Sequence, residues 1–446
     1  LVSLTTLFTL AVIIAAGLFL RTQAFLGTEV VEPLQDDAAE AYALAQVLER
    51  QGAYQALTDP FAEDAQGETG EIFGSLGYPL FLSLFVDADA TDGSLSAAVI
   101  AQVVLGALAI LLAFMLTTRL LDPHWGLTVA LLTAVSPYLV NISLYLVGAT
   151  LLMVVLLVYL VTAARIGERG AVVRTFFAAA LLGVVSWVDG TFQFLILPWV
   201  ILLFLASKGL SRFMTPVAAA LGFILVFGPL MALNQAAVDT AVPMESMAMS
   251  IQQGMQPPAE ASAAASTEAA DEADLLTALG ALGAGFIDDP RGVLSWYFVE
   301  KPQTLWSLGG KPEVEQTFVY EVAETPYAQN PLFLASEQLM QLLHGPVVLI
   351  ALFGVILVWL PFAGKRLGAA QLIGLRTVSM VLIYATLAHL FGAAAPQYST
   401  PLMPLVFLMA VTPLYLLTLP RPQRVTPAKA APESAEAQPV AEPEAA

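Results

Sequence analysis

The stretch Gln35-Asp36-Asp37-Ala38-Ala39-Glu40-Ala41-Tyr42 sets three carboxylates a short distance after an apolar run at residues 3–20. Carboxylates at the edge of a bilayer can take or give protons at the reacting end of a membrane enzyme. They can equally be solvated charges on a surface helix. Residues 36–51 carry apolar positions at roughly every third or fourth place, which predicts a helix with one apolar face. Asp36 or Asp37 would cap its start, where free N–H groups and the helix dipole favour negative charge.

Asp189, in Trp187-Val188-Asp189-Gly190, is the one carboxylate next to a predicted span. Intramembrane acids are functional candidates by default, and a loop aspartate capping the next helix is the competing assignment. Lys301 stands among Trp296, Tyr297 and Trp306, a grouping that suits an interfacial anchor. His124 falls in a short turn, His344 starts a predicted span, and His389 lies in another with a packing role. The absence of cysteine excludes disulfides, zinc–thiolate sites and thiol nucleophiles. No phosphate-cradling glycine loop or dinucleotide fingerprint occurs, which leaves nucleotide-driven chemistry without a home.

The elements that must position these residues are membrane helices. The chain is 58% hydrophobic and 12% charged, about half the charge of an average soluble domain. Apolar runs of about 20 residues recur, continuous and Leu/Ala-rich rather than alternating, which predicts helices and not a barrel. About ten spans are expected, at 3–20, 95–117, 126–141, 145–164, 175–188, 191–206, 214–233, 345–361, 377–393 and 401–419. The first is read as a retained span rather than a signal peptide. With ten spans, the clusters Arg165/Arg169/Arg174, Lys208/Arg212, Lys365/Arg366/Arg376 and Arg421/Arg424/Lys429 share one face, cytoplasmic by the positive-inside rule. Both termini are then cytoplasmic. The polar segments 21–94 and 234–344 fall on the other side, with Arg21, Arg50, Arg291, Lys301 and Lys311 as their only bases. The expected organisation is a transmembrane module over 1–233 with its first external loop (21–94), a large external loop over 234–344, C-terminal helices over 345–420 and a tail over 421–446. Residues 255–274 and 425–446 have a disorder-type composition. The net charge of −19 argues against a nucleic-acid partner.

Several motifs, taken in order, carry a resemblance: the acidic "D…Y..A..L" helix, "GYPLFL" at 77–82, "AVIAQVVLGALAILLAFMLTTRLL" at 98–121, and "GLTVALLTAVSPYLVNISLYL" at 126–146 with Ser136-Pro137. "DDPRGVLSWYFVEKPQTLWS" at 288–307 and "PQYSTPLMPLVFLMA" at 396–410 complete it. Together they resemble the GT-C superfamily of membrane glycosyltransferases, and within it the bacterial branch of protein O-mannosyltransferases and lipid A aminoarabinose transferases. The resemblance implies an all-α polytopic membrane protein with two large external loops. It implies a polyprenyl-phosphate-linked sugar as donor and the lipid bilayer and cell-envelope components as partners, in a bacterial inner membrane. It also implies an acidic residue in the first external loop, with Asp37 as the catalytic base and Asp36 as the second candidate. Glu40, Tyr42, Tyr78, Asp189 and Tyr398 would contact substrate, His389 and Tyr398, on the external side, are candidates to line a lipid-phosphate cavity, and Arg291, Lys301 or Lys311 would steady the phosphate. No particular cofactor is implied, and room is left for a divalent cation.

The pattern departs from the family at defined places. The family's acid stands four residues before the tyrosine, which is Ala38 here, and Asp37 is one residue earlier. One residue turns a helical side chain by roughly 100°. An acidic pair entering the fourth span is replaced by Val147-Gly148, and the late arginine by Gln397. The alternatives to an enzyme are a non-catalytic scaffold or lipid-glycan binder of the same fold, and a transporter or flippase, against which the lack of internal repeats counts.

Overall fold

The computed structural model describes residues 3–58, 75–86, 95–166, 171–238, 250–252, 254–255, 275–307 and 319–420. Lys311, residues 256–274 and the tail from 421 lie outside them. The protein is an all-α polytopic membrane protein. Its first half comprises α1 (Leu4–Gly27), β1 (Glu29–Val30), α2 (Asp37–Thr58), α3 (Gly77–Leu82), α4 (Ser96–Leu120), α5 (Pro123–Val135), α6 (Pro137–Asn141), α7 (Ala149–Ala163), α8 (Ala171–Val188), α9 (Ile196–Ala206) and α10 (Ser211–Val238). The second half comprises α11 (Leu275–Asp288), α12 (Pro290–Ser295), α13 (Lys301–Leu305), β2 (Val322–Glu324), α14 (Pro326–Gln329), α15 (Pro331–Leu357), α16 (Pro361–Gly364), α17 (Ala369–Phe391), α18 (Pro396–Ser399) and α19 (Met403–Thr418).

Among the described residues, seven helices are long and apolar enough to cross a membrane, or eight if the bent pair around Pro137 is one span. All ten expected spans fall on apolar helices, but not all of these are full crossings. The 15 residues of α7 rise only about 22 Å, short of the roughly 30 Å hydrocarbon layer. The span expected from residue 345 begins at Pro331. Asn330 caps it, its Oδ1 accepting from the Leu332 N–H at 3.0 Å, with Pro331 in the first turn where no N–H is needed. Glu337, Gln338 and Gln341 lower the local hydropathy and conceal this start. His344 therefore lies within α15.

The helices sort by burial. The Pro396–Thr418 span is 83% buried, whereas those of α1 and α15 are 28% buried. The C-terminal span is thus the centre of the bundle, and α1 and α15 present their apolar side chains outward.

The bend between α5 and α6 is 63°. Ser136, preceding a proline, is extended, as that position prefers. Pro137 has no N–H to give the Thr133 carbonyl four residues back. Arg21 supplies the missing donors. It was expected to open a loop, but α1 continues to Gly27 and Arg21 is fully buried. Its Nη2 donates to the Thr133 and Leu139 carbonyls at 3.3 Å each, and its Nη1 to Ala134 at 3.3 Å and Gly17 at 3.1 Å. Gly106 makes room for it: a Cβ there would stand against Arg21 Nε.

The two long polar segments meet. β1 pairs antiparallel with β2, Glu29 opposite Glu324 and Val30 opposite Val322. Beneath this ribbon lies a second core of Leu20, Ala38, Tyr78, Tyr145, Tyr320 and Phe333. It forms the platform on which α2 rests.

Candidate functional site

The acidic stretch folds as a tight turn into α2. Asp36 has φ +48°, the only positive φ at a non-glycine position among the described residues, in the left-handed region that Asp tolerates better than most residues. The Ala38 N–H reaches the Gln35 carbonyl, and the Ala39 and Glu40 N–H groups reach the Asp36 carbonyl. From there the helix has two distinct faces. Ala38 and Ala45 are fully buried in the platform. Asp37, Glu40, Ala41 and Leu44 line a cavity of about 400 Å³. Spacings of three, four and seven residues put these four on one helical stripe.

Position 38 points into the core, so a carboxylate there would be buried without water. Position 37 opens to the cavity. Tyr320 fastens the turn from the later polar segment, its hydroxyl donating to the Gln35 carbonyl at 3.1 Å and its ring edge-on to Tyr145 at 5.5 Å. Burial first, and then the Asp37 and Asp36 carboxylates, push the Tyr320 hydroxyl far above the ordinary tyrosine value.

The other walls come from distant elements. Asp189 ends α8 and caps the 3-10 turn Gly190–Leu195, its Oδ1 accepting from the Thr191 N–H at 2.9 Å; it also lines the cavity. Tyr78, from the buried face of α3, donates to Gln102 Oε1 at 3.0 Å. Gln102 Nε2 in turn donates to the Tyr145 and Ser143 carbonyls at 2.8 and 3.3 Å. This chain of amide and hydroxyl fixes the loop carrying Val147 and Gly148 into the wall. The position where an acidic pair was expected is therefore part of the wall, and apolar. Gln397 and Tyr398 of α18 and His389 of α17 close the cavity. The Tyr398 and His389 rings stack face to face, 4.8 Å apart and 3° from parallel.

Four of the expected site residues are not in this wall. Asp36 is exposed at the turn, and Tyr42 packs half-buried against the platform. Arg291 is exposed in the short helix α12. Lys301 is fully buried. Its Nζ donates to the Leu390 and Gly392 carbonyls at 2.7 Å each and lies 4.3 Å from the Tyr297 ring centre. It thus caps the C-terminus of α17, where a cation is favoured. Burial lowers its pKa from 10.5 to about 7.

Among the described residues, no lysine or arginine lines the cavity, and no three His, Asp or Glu side chains form a group that could hold a metal ion. The donor set among the described residues does not fit a resident cation. His389 was expected beside Tyr398 at such a cavity, and Gln397 was marked only as the place of a missing arginine; both line it. Their signal was proximity to Tyr398 at the loop end of two late spans.

The fold and cavity define a polytopic α-helical membrane protein with a chamber under its polar segments. No protein-family model matches the chain, and no curated protein matches it. Among solved structures it is similar to the Archaeoglobus fulgidus oligosaccharyltransferase in its apo form, at 14% identity and a TM-score of 0.49, over 92% of this chain and 50% of that one. It is similar also to AglB from the same organism in complex with an inhibitory peptide and a dolichol-phosphate, at 16% identity and a TM-score of 0.48, over 92% and 50% of the two chains. The chain spans about half the length of these structures.

Proposed function

We propose that the protein is a membrane glycosyltransferase moving a sugar from a polyprenyl-phosphate donor to a lipid, glycan or protein acceptor on the periplasmic side of a bacterial inner membrane, with both termini cytoplasmic. The observation that carries the reading is the convergence of Asp37 and Asp189, from opposite ends of the first half of the chain, on one cavity. Asp37 takes the proton of the acceptor hydroxyl as that oxygen bonds to the anomeric carbon. The bond from that carbon to the phosphate oxygen breaks, and its electron pair leaves with the phosphate. Asp189 and Glu40 hold sugar or acceptor hydroxyls, and Tyr78 and Tyr398 shape the chamber around them.

A second reading has its own support. The cavity wall carries no lysine or arginine among the described residues, which favours a non-catalytic scaffold that binds a lipid-linked glycan. Purified protein in lipid nanodiscs, given polyprenyl-phosphate sugars and envelope-extracted acceptors, separates the two. Formation of a glycosidic product that Asp189→Asn diminishes supports the enzyme. Saturable donor binding with no product from any donor supports the scaffold.

A further inference from the structure

We propose that His389 is the residue that receives the leaving phosphate; this rests on the glycosyl-transfer reading above. A phosphate departing from an anomeric carbon gains negative charge and needs a hydrogen-bond donor beside it. Arg291 and Lys301 do not line the cavity, and the Tyr78 hydroxyl already donates to Gln102. Among the described residues of the wall, His389 is the one side chain that can carry a positive charge.

The ring is held for that role. Its Nδ1 lies 3.2 Å from the Ala393 carbonyl. A carbonyl only accepts, so Nδ1 carries a hydrogen and Nε2 is left as the second site. Protonation makes Nε2 a donor without disturbing the Nδ1 bond. Stacking on Tyr398 fixes the ring plane. The turn that follows is held on both sides: Lys301 binds the Leu390 and Gly392 carbonyls, and Ser250 Oγ accepts from the Ala393 N–H at 3.3 Å. Lys301 is thereby a positioning residue, since it acts on the phosphate only through the helix end that bears His389.

The test is binding, read apart from turnover. Nanodisc-held protein is titrated with polyprenyl phosphate and, separately, with the matching polyprenol that lacks the phosphate. Wild type is expected to prefer the phosphate by at least tenfold. His389→Phe should lose that preference, and His389→Gln, which keeps an N–H donor, should retain part of it. The glutamine variant also carries the test if the phenylalanine variant fails to fold. Equal preference in wild type and both variants overturns the role of His389 and leaves the glycosyl-transfer reading standing. No preference in wild type overturns the donor reading itself. Inorganic phosphate competing as well as the lipid would assign the wall to a free anion and overturn the lipid-borne form of the proposal.

Discussion

Arg21 and Lys301 are both buried bases that bind backbone carbonyls and not carboxylates in the bonds described above. They do different work. Arg21 answers a helix break, where Pro137 and the bend leave carbonyls pointing several ways. A planar fork with five N–H donors suits scattered acceptors and stays charged at any physiological pH. Lys301 answers a helix end, where two carbonyls lie side by side and a compact ammonium reaches both. A buried ammonium can lose its proton, so this second contact depends on pH whereas the first does not. The first contact fixes the scaffold, and the second fixes the turn beside the cavity.

The largest expected effect comes from breaking the first contact. Arg21→Met should strip the Thr133, Ala134 and Leu139 carbonyls of their donor, lowering stability by about 3 kcal/mol or more. Arg21→Lys should recover only part of it, because one ammonium cannot span both sides of the bend. Thermal unfolding in nanodiscs reads both, and a lysine variant as stable as wild type would mean that charge alone suffices.

Lys301→Met should cost less and should change a slope. The folded pKa of about 7 lies below the ordinary 10.5, so the unfolded chain binds more protons between those values. Stability then rises with pH across the window, and the contribution of this residue is least favourable below about pH 7. The methionine variant should lose that rise, which melting curves at pH 6.5, 8 and 9.5 would show. Parallel curves for wild type and variant would contradict the assignment.

Tyr320→Phe is the smallest change. It removes the hydroxyl bond to the Gln35 carbonyl, a loss of about 1 kcal/mol. It should lower kcat more than it raises KM, because it loosens the aim of Asp37 and not the chamber. A change confined to KM would assign Tyr320 to substrate binding.

Much of this was legible in the sequence, and the parts that were not have physical reasons. Apolar runs located the spans, since the bilayer sets their length. The period of α2 was readable from Tyr42, Ala45 and Leu48. Which face meets the cavity was not, because that depends on Tyr78, Tyr145 and Tyr320, brought together only by tertiary packing. The start of α15 was hidden because Glu337 and two glutamines dilute its hydropathy. Arg21 read as a loop base because nothing near it in sequence announces a helix break more than a hundred residues on. Lys301 read as a phosphate ligand because its partners are carbonyls, which no side-chain pattern reveals. Asp189 was assigned both as a helix cap and as a site candidate, and in the structure one carboxylate caps the turn and lines the cavity.

In the proposed reaction the register of α2 presents Asp37, and not Asp36, to the acceptor hydroxyl. Sugar transfer from a polyprenyl-phosphate donor, measured for Asp37→Asn and Asp36→Asn beside wild type with donor binding followed in parallel, tests it directly. Asp37→Asn is expected to lower kcat by about 100-fold or more while donor binding holds, and Asp36→Asn to leave most of the rate. An Asp37→Asn variant turning over like wild type, or an Asp36→Asn variant losing as much, would contradict it.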